Sequence, residues 1–360
     1  MRGKIRKIDA IGEMTNMESP LNDFNPSFPL FKNGHLQTLV AAVPLFGGEK
    51  RLATFPTEGL RIAIPTDGPS VGTLGATLHL APTGRGTVVL VHGVGGGATS
   101  RYIVRAAVAF LEAGFHVVRV NLRGAGGTHV HCASLYHVGL GEDLDVILDF
   151  LAGDSRLGPL FLCGFSGGGN VTLKRAGEWG DQAPRALTGV AALGAPVDLA
   201  AAARVVQATR NFPYHHHVLR GLKASAIDLY RAFPDRVHYT PKDVRAASSI
   251  SAYDAAVIVP MHGFSSVSAY HDAASAMHRL AEIRVPAIVV HADDDPMVPG
   301  STVRGAYTTL PTHVRQVRTA HGGHLGWVGS FREDGWIASY GVARVIEYFK
   351  ELLAKPAITR

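Results

Sequence analysis

The 360-residue sequence predicts an α/β fold in which helices cover both faces of a mostly parallel central sheet. Three observations predict it. From residue 72 onward, short apolar runs alternate with longer helical patterns, the rhythm of strands joined by crossover helices. The composition, 46% apolar and 18% charged, suits a large buried core and excludes a disordered chain. One apolar run, "PLFLCGF", breaks into glycine and serine and then into a helix pattern, a strand-to-helix turn of functional type.

The first fifty residues, rich in Pro and Asn, read as an irregular extension packed on the core. Strands follow at "GTLGATLHL" (72–80), "GTVVLVH" (86–92), "FHVVRVNL" (115–122), "PLFLCGF" (159–165), "LTGVAAL" (187–193), "VPAIVVHA" (285–292) and "VRQVRTA" (314–320). Helices are expected near 101–113, 141–153, 168–179 and 333–353. The last spaces its apolar residues at three and four, as a closing amphipathic helix should. Between about 199 and 283 no strand pattern occurs. Helix-prone pieces mixed with His, Tyr and Pro read there as an inserted helical lid. The expected division is an extension at 1–50, a core at 51–198 and 284–360, and a lid at 199–283.

The formal charge of +6 and a pI near 9.4 do not imply nucleic acid, because the basic residues are scattered singly apart from "MRGKIRK" at the start. Cys132 and Cys163 make no metal-ligand pattern and are expected buried and reduced. No basic-then-apolar leader opens the chain, and no apolar stretch approaches the roughly 18 residues needed to span a bilayer. The expectation is a cytoplasmic protein.

Gly164-Phe165-Ser166-Gly167-Gly168 fits G-x-S-x-G, the nucleophile elbow of α/β-hydrolases. Gly68-Pro69-Ser70-Val71-Gly72 fits it too, but no apolar strand precedes that stretch and no helix follows. Ser166 is therefore the candidate nucleophile. A serine hydroxyl needs a base within reach and a third group to orient the base. "VPAIVVHADDDPMVP" runs from a buried strand into an acidic turn, where Asp295, just before Pro296, is the candidate acid. Asp293 and Asp294 are expected to cap the turn or face water. "RTAHGGHLGWVG" then offers two histidines, of which His324 is assigned as base and His321 as a supporting loop residue. An oxyanion needs preorganised N–H donors. They are expected from Gly167, after the nucleophile, and from Val94 in the glycine-rich turn "HGVGGGATSRY". That turn carries neither the G-x-x-x-x-G-K-[ST] of a phosphate loop nor a placed dinucleotide fingerprint, so no cofactor is expected. "YHHH" at 214–217 lacks the ligand spacing of a metal site and reads as a wet lid face.

Eight stretches carry a family resemblance: "NGHLQTL" (33–39), "HGVGGGATSRYI" (92–103), "VNLRGAGGT" (120–128), "LYHVGLGEDL" (135–144), "GFSGGGN" (164–170), "LRGLK" (219–223), "DDP" (294–296) and "HGGHLGW" (321–327). In this order, over about 28–350, they resemble the YheT-like α/β-hydrolases, which include bacterial esterase-type proteins, phospholipases and medium-chain ester hydrolase/synthases. The resemblance implies the triad Ser166, Asp295 and His324. The chain departs from the family at Gly34, where a proline is usual, and at Gly167, where a bulky apolar residue is usual. His35, Gln37, Arg123, Tyr136 and His137 read as structural, holding the loops around the elbow.

The expected function is hydrolysis of small-molecule or lipid carboxylic esters with short to medium acyl chains, through an acyl-enzyme. The lid adds a peripheral membrane contact to these expectations. Two alternatives stay open. The same triad transfers the acyl group when an alcohol replaces water, and a protein of this fold that has lost turnover binds ligands only.

Overall fold

The computed structural model describes residues 24–26, 29–42, 48–64, 72–331 and 337–355. Eight strands form one sheet: β1 (Thr57–Ile64), β2 (Gly72–His79), β3 (Thr87–Val91), β4 (His116–Asn121), β5 (Leu160–Phe165), β6 (Leu187–Leu193), β7 (Ala287–Ala292) and β8 (Arg315–Thr319). Their order across the sheet is β1-β2-β4-β3-β5-β6-β7-β8. The pairs β1/β2 and β2/β4 are antiparallel, and every pair from β4 to β8 is parallel. A hairpin of β9 (Val328–Phe331) and β10 (Ile337–Ser339) stands apart.

Two short helices, α1 (Gly34–Ala42) and α2 (Gly48–Leu52), precede the sheet; α3 (Arg101–Glu112), α4 (Glu142–Ala152) and α5 (Gly167–Trp179) link its strands. Between β6 and β7 the chain is helical throughout its regular elements. It forms α6 (Leu199–Val206), α7 (Phe212–Ala232), α8 (Pro241–Ala246), α9 (Ile250–Tyr253), a π-helical segment Asp254–Ile258, α10 (Val259–His262) and α11 (Val267–Ala274). After β7 come α12 (Gly300–Tyr307) and the closing α13 (Tyr340–Ala354).

The central strands are buried on both faces, so their side chains alternate between two apolar layers. Val88 and Leu90 of β3 pack with Phe110 of α3 and Phe349 of α13 on one side. Val89 and Val91 pack with Leu148 of α4 and Val171 of α5 on the other. The helices of the β6–β7 connection bury a third cluster, among them Leu229, Tyr253 and Tyr270, against Leu135 and Val138 of the core. No helix among the described residues is long and apolar enough to cross a membrane.

Three sequence expectations are corrected. The stretch 34–42, read as irregular, is helical. Strand β1 was not anticipated, although Leu60, Ile62 and Ile64 alternate with Arg61 and Ala63 in front of the turn-rich "PTDGPSVG". The closing helix begins at Tyr340 rather than 333, because Ile337–Ser339 pair with β9, and tertiary strand pairing overrides local helix preference.

Candidate active site

Ser166 stands between β5 and α5 with φ 51°, the left-handed region that a non-glycine residue enters only under constraint, at a cost of about 1–3 kcal/mol. The surroundings impose it. A Cβ on Gly164 would strike the carbonyl of Gly168, and one on Gly168 would strike the carbonyls of Val91 and His92, so both motif glycines let the first turn of α5 approach β3 and β5 closely. The Ser166 amide donates to Leu193 O at 2.8 Å, and its carbonyl accepts from Gly169 N at 2.8 Å. Four residues on, buried Asn170 donates to the carbonyls of Val138 (2.6 Å) and Ala274 (2.8 Å) and accepts from Ala276 N (2.9 Å). The helix behind the serine is thus tied to the end of the β6–β7 insertion.

Asp295, 1% exposed, follows β7. Its Oδ1 accepts from the amides of Met297 and Val298, both at 2.8 Å, and its Oδ2 lies 2.7 Å from His324 Nδ1. The other ring nitrogen, Nε2, lies 2.9 Å from Ser166 Oγ. The structure thus brings together residues 166, 295 and 324, separated by up to 158 positions in the chain. Two amides saturate one carboxylate oxygen, leaving the other to hold the imidazole.

The other two aspartates neither cap the turn nor merely face water. Asp293 receives a two-pronged bond from Arg318 at 2.8 and 2.7 Å; burial raises its pKa, but the guanidinium prevails and holds it below the usual carboxylate value. Asp294 accepts from Gly323 N at 2.8 Å, and burial raises its pKa. His321 Nδ1 sits 3.5 Å from Asp294 Oδ2, beside the loop rather than at the serine. Leu325 and Trp327 also have positive φ, 62° and 46°, so the histidine loop is itself constrained.

The amides of Val94 and Gly167 have no hydrogen-bond acceptor among the described residues. They lie close together: an ideal Cβ on Gly167 would be 3.2 Å from Val94 N. The loop carrying Val94 is held from three sides. His92, fully buried, sits with Nδ1 2.9 Å from Gly93 O, while its Nε2 accepts from Leu122 N at 3.2 Å. Burial pushes its pKa down to about 4, which keeps the ring neutral. Tyr102 OH accepts from Gly93 N at 2.9 Å, and Tyr136 OH accepts from Gly95 N at 2.8 Å. Arg123 grips buried Asp143 at 2.7 Å, fixing the next loop. His137 is neutral as well, lowered well below its ordinary pKa by burial.

A cavity of about 880 Å³ opens onto Ser166 and His324. Its walls are largely apolar, with Val218 and Leu222 from α7, Ile258 from the π-helical segment and Met297 from the acid loop. Tyr214 and His217 line it too, which corrects the reading of "YHHH" as a face turned only to water. His35 Nδ1 lies 2.9 Å from Tyr214 OH, joining α1 to α7. Gln37 is structural, donating to the carbonyls of Phe31 (2.8 Å) and Val328 (3.1 Å) and accepting from Val328 N (2.8 Å). Both cysteines are free and buried. Ser70 lies outside the described residues.

Sequence reasoning missed Thr38, Asn170 and the buried pair Asp254–His271. The quoted stretches "NGHLQTL" and "GFSGGGN" contain the first two, but the pair has no local signal, because α11 meets the π-helical segment only in the folded chain.

A family described as serine aminopeptidase, S33, matches residues 82–325. The chain is 27% identical over 299 residues to "Putative esterase YheT" of Escherichia coli (strain K12), covering 83% of this chain and 85% of that one. It is 25% identical over 258 residues to a monoacylglycerol lipase of Saccharomyces cerevisiae, covering 70% of this chain and 57% of the yeast protein, so it spans under two thirds of that relative. Among solved structures, the esterase Pf2001 of Pyrococcus furiosus superposes with a TM-score of 0.54 at 16% identity, covering 83% of this chain and 93% of the esterase. That likeness concerns the fold.

Proposed function

The chain belongs to the serine aminopeptidase S33 family and is a YheT-like α/β-hydrolase; on that premise, we propose that it hydrolyses carboxylic esters at Ser166. The observation that carries this reading is the continuous line of contacts from Asp295 through His324 to Ser166, 2.7 and 2.9 Å, at an apolar cavity. Ser166 Oγ attacks the ester carbonyl while His324 Nε2 takes its proton. Asp295 keeps Nδ1 protonated and stabilises the imidazolium that forms. The amides of Val94 and Gly167 receive the oxyanion. The imidazolium returns its proton to the leaving alcohol, and water, deprotonated by the same histidine, then releases the acid and frees Ser166.

The helices between β6 and β7 act as a lid whose apolar residues cover the acyl chain. The names of the relatives, an esterase and a monoacylglycerol lipase, support an ester with an acyl chain as substrate. A fluorophosphonate probe together with turnover of a short p-nitrophenyl ester tests the reading. Wild type should label and turn over, Ser166→Ala should do neither while unfolding at nearly the same temperature, and Ser70→Ala should behave as wild type. Label on Ser70, or turnover by Ser166→Ala, sinks it.

A further inference from the structure

In the largely apolar wall of the cavity two charged-type side chains stand together, and the triad uses neither. Asp254 opens the π-helical segment and His271 lies on α11; they are 6% and 8% exposed. Asp254 Oδ2 is 3.1 Å from His271 Nε2. The remaining polar atoms, Asp254 Oδ1 and His271 Nδ1, have no partner among the described residues. Both residues line the cavity. The neighbouring tyrosines are committed elsewhere, Tyr136 OH to Gly95 N at 2.8 Å and Tyr270 OH to Val138 N at 3.4 Å. A π-helical turn interrupts a helix at some cost and is frequent where a side chain serves a ligand.

We infer that Asp254 and His271 form a subsite that recognises a hydroxyl on the acyl chain of the substrate. This rests on the ester-hydrolase reading and narrows its substrate class to hydroxyacyl esters. The chemistry favours a neutral group over a cation. With one proton between Oδ2 and Nε2 and a hydrogen on Nδ1, the pair carries no net charge and presents an oxygen that accepts and a ring N–H that donates, the complement of a hydroxyl. Burial raises the pKa of Asp254 against the opposing bond from His271, consistent with a proton held between the two. A hydroxyl donates to one atom and accepts from the other. An unsubstituted chain leaves both dry and unpaired, which disfavours it.

The test uses p-nitrophenyl acyl esters in which one hydroxyl is moved along the chain, each beside its unsubstituted parent. Wild type should prefer the hydroxylated ester in kcat/KM by about tenfold or more at one position, since a site built for a hydroxyl discriminates strongly against its absence. Asp254→Leu/His271→Phe replaces both partners with apolar groups of similar volume, a change that buried pairs generally tolerate. It should lose the preference while hydrolysing the parents within about threefold of wild type. Asp254→Asn, which keeps the shape, should show a reduced preference and guards against a folding failure of the double variant. Hydrolysis of the parents with no gain from any hydroxyl position overturns the subsite and leaves the ester-hydrolase reading standing. A preference that survives in both variants also overturns the subsite, and no hydrolysis of any ester overturns both.

Discussion

Thr38 Oγ1 accepts the amide hydrogen of His324 at 2.8 Å while donating to Gly34 O at 2.7 Å. A helix near the start of the described chain thereby holds the backbone of a residue 286 positions later. Gln37, one residue away, grips both the amide and the carbonyl of Val328. The histidine loop is clamped at both ends, which sustains the positive φ of Leu325 and Trp327 between them.

If the clamp sets the aim of the imidazole, Thr38→Val should lower kcat on the order of 10-fold to 100-fold with little change in KM, because small misplacement of a reacting group is costly. Thr38→Ser, which keeps the oxygen, should restore most of it. Steady-state kinetics of both variants decide: full activity in Thr38→Val beside a loss in Thr38→Ser would mean that the methyl group's packing matters and the hydrogen bond does not.

The two loops around the triad give a ranking. His324→Ala should cost on the order of 10⁴-fold in kcat, whereas His321→Ala should cost far less. Among the aspartates, Asp295→Asn should be the most damaging, because it disturbs the partner of Nδ1. Asp294→Ala should come next, since it strands the Gly323 amide beside the histidine. Asp293→Asn should leave kcat nearly intact and lower stability through Arg318. A dead His321→Ala beside an active His324→Ala would reverse the assignment.

What was legible in the sequence is what a local motif encodes. The elbow at 164–168 and the loop at 321–327 announce themselves through glycines that the backbone needs where they stand. The strands buried on both faces show as apolar runs. Strand β10 did not show, because Ile337–Ser339 is strand only by pairing with β9. The role of Thr38 was hidden for a similar reason, as nothing in "NGHLQTL" says which amide lies above it. Asp294 looked free because its partner, Gly323 N, is 29 residues away.

His92 couples the loop that carries Val94 to pH. Its ring is fully buried and its pKa is pushed down to about 4, against an ordinary 6.5. Between these values the unfolded chain binds a proton that the folded chain refuses, so stability falls as pH drops from about 6.5 to about 4. One such group contributes a slope of up to about 1.4 kcal/mol per pH unit. Urea midpoints across this range should fall in wild type, and the fall should be shallower in His92→Asn. An unchanged slope in the variant would show that other groups carry the dependence.

Gly167 stands against two side chains, Val94 and Val138, that decide what its position can hold. A Cβ on Gly167 would sit 2.8 Å from Val94 Cγ2 and 2.9 Å from Val138 Cγ1, so the two valines already fill the space that a side chain would take. Both contacts are tighter than carbon atoms accept, and Val94 carries one of the two amides assigned to the oxyanion. Gly167→Ala should therefore push Val94 aside and lower kcat on the order of 10²-fold, the scale of losing one oxyanion donor, with KM changing less. Combining it with Val94→Ala and Val138→Ala removes the methyl groups in conflict and should recover much of kcat, whereas the two valine changes alone should not raise it. Recovery above the additive expectation, read from a mutant cycle, is the signature of a shared space. Strict additivity would mean that the glycine is needed for its backbone freedom rather than for the room that the valines occupy.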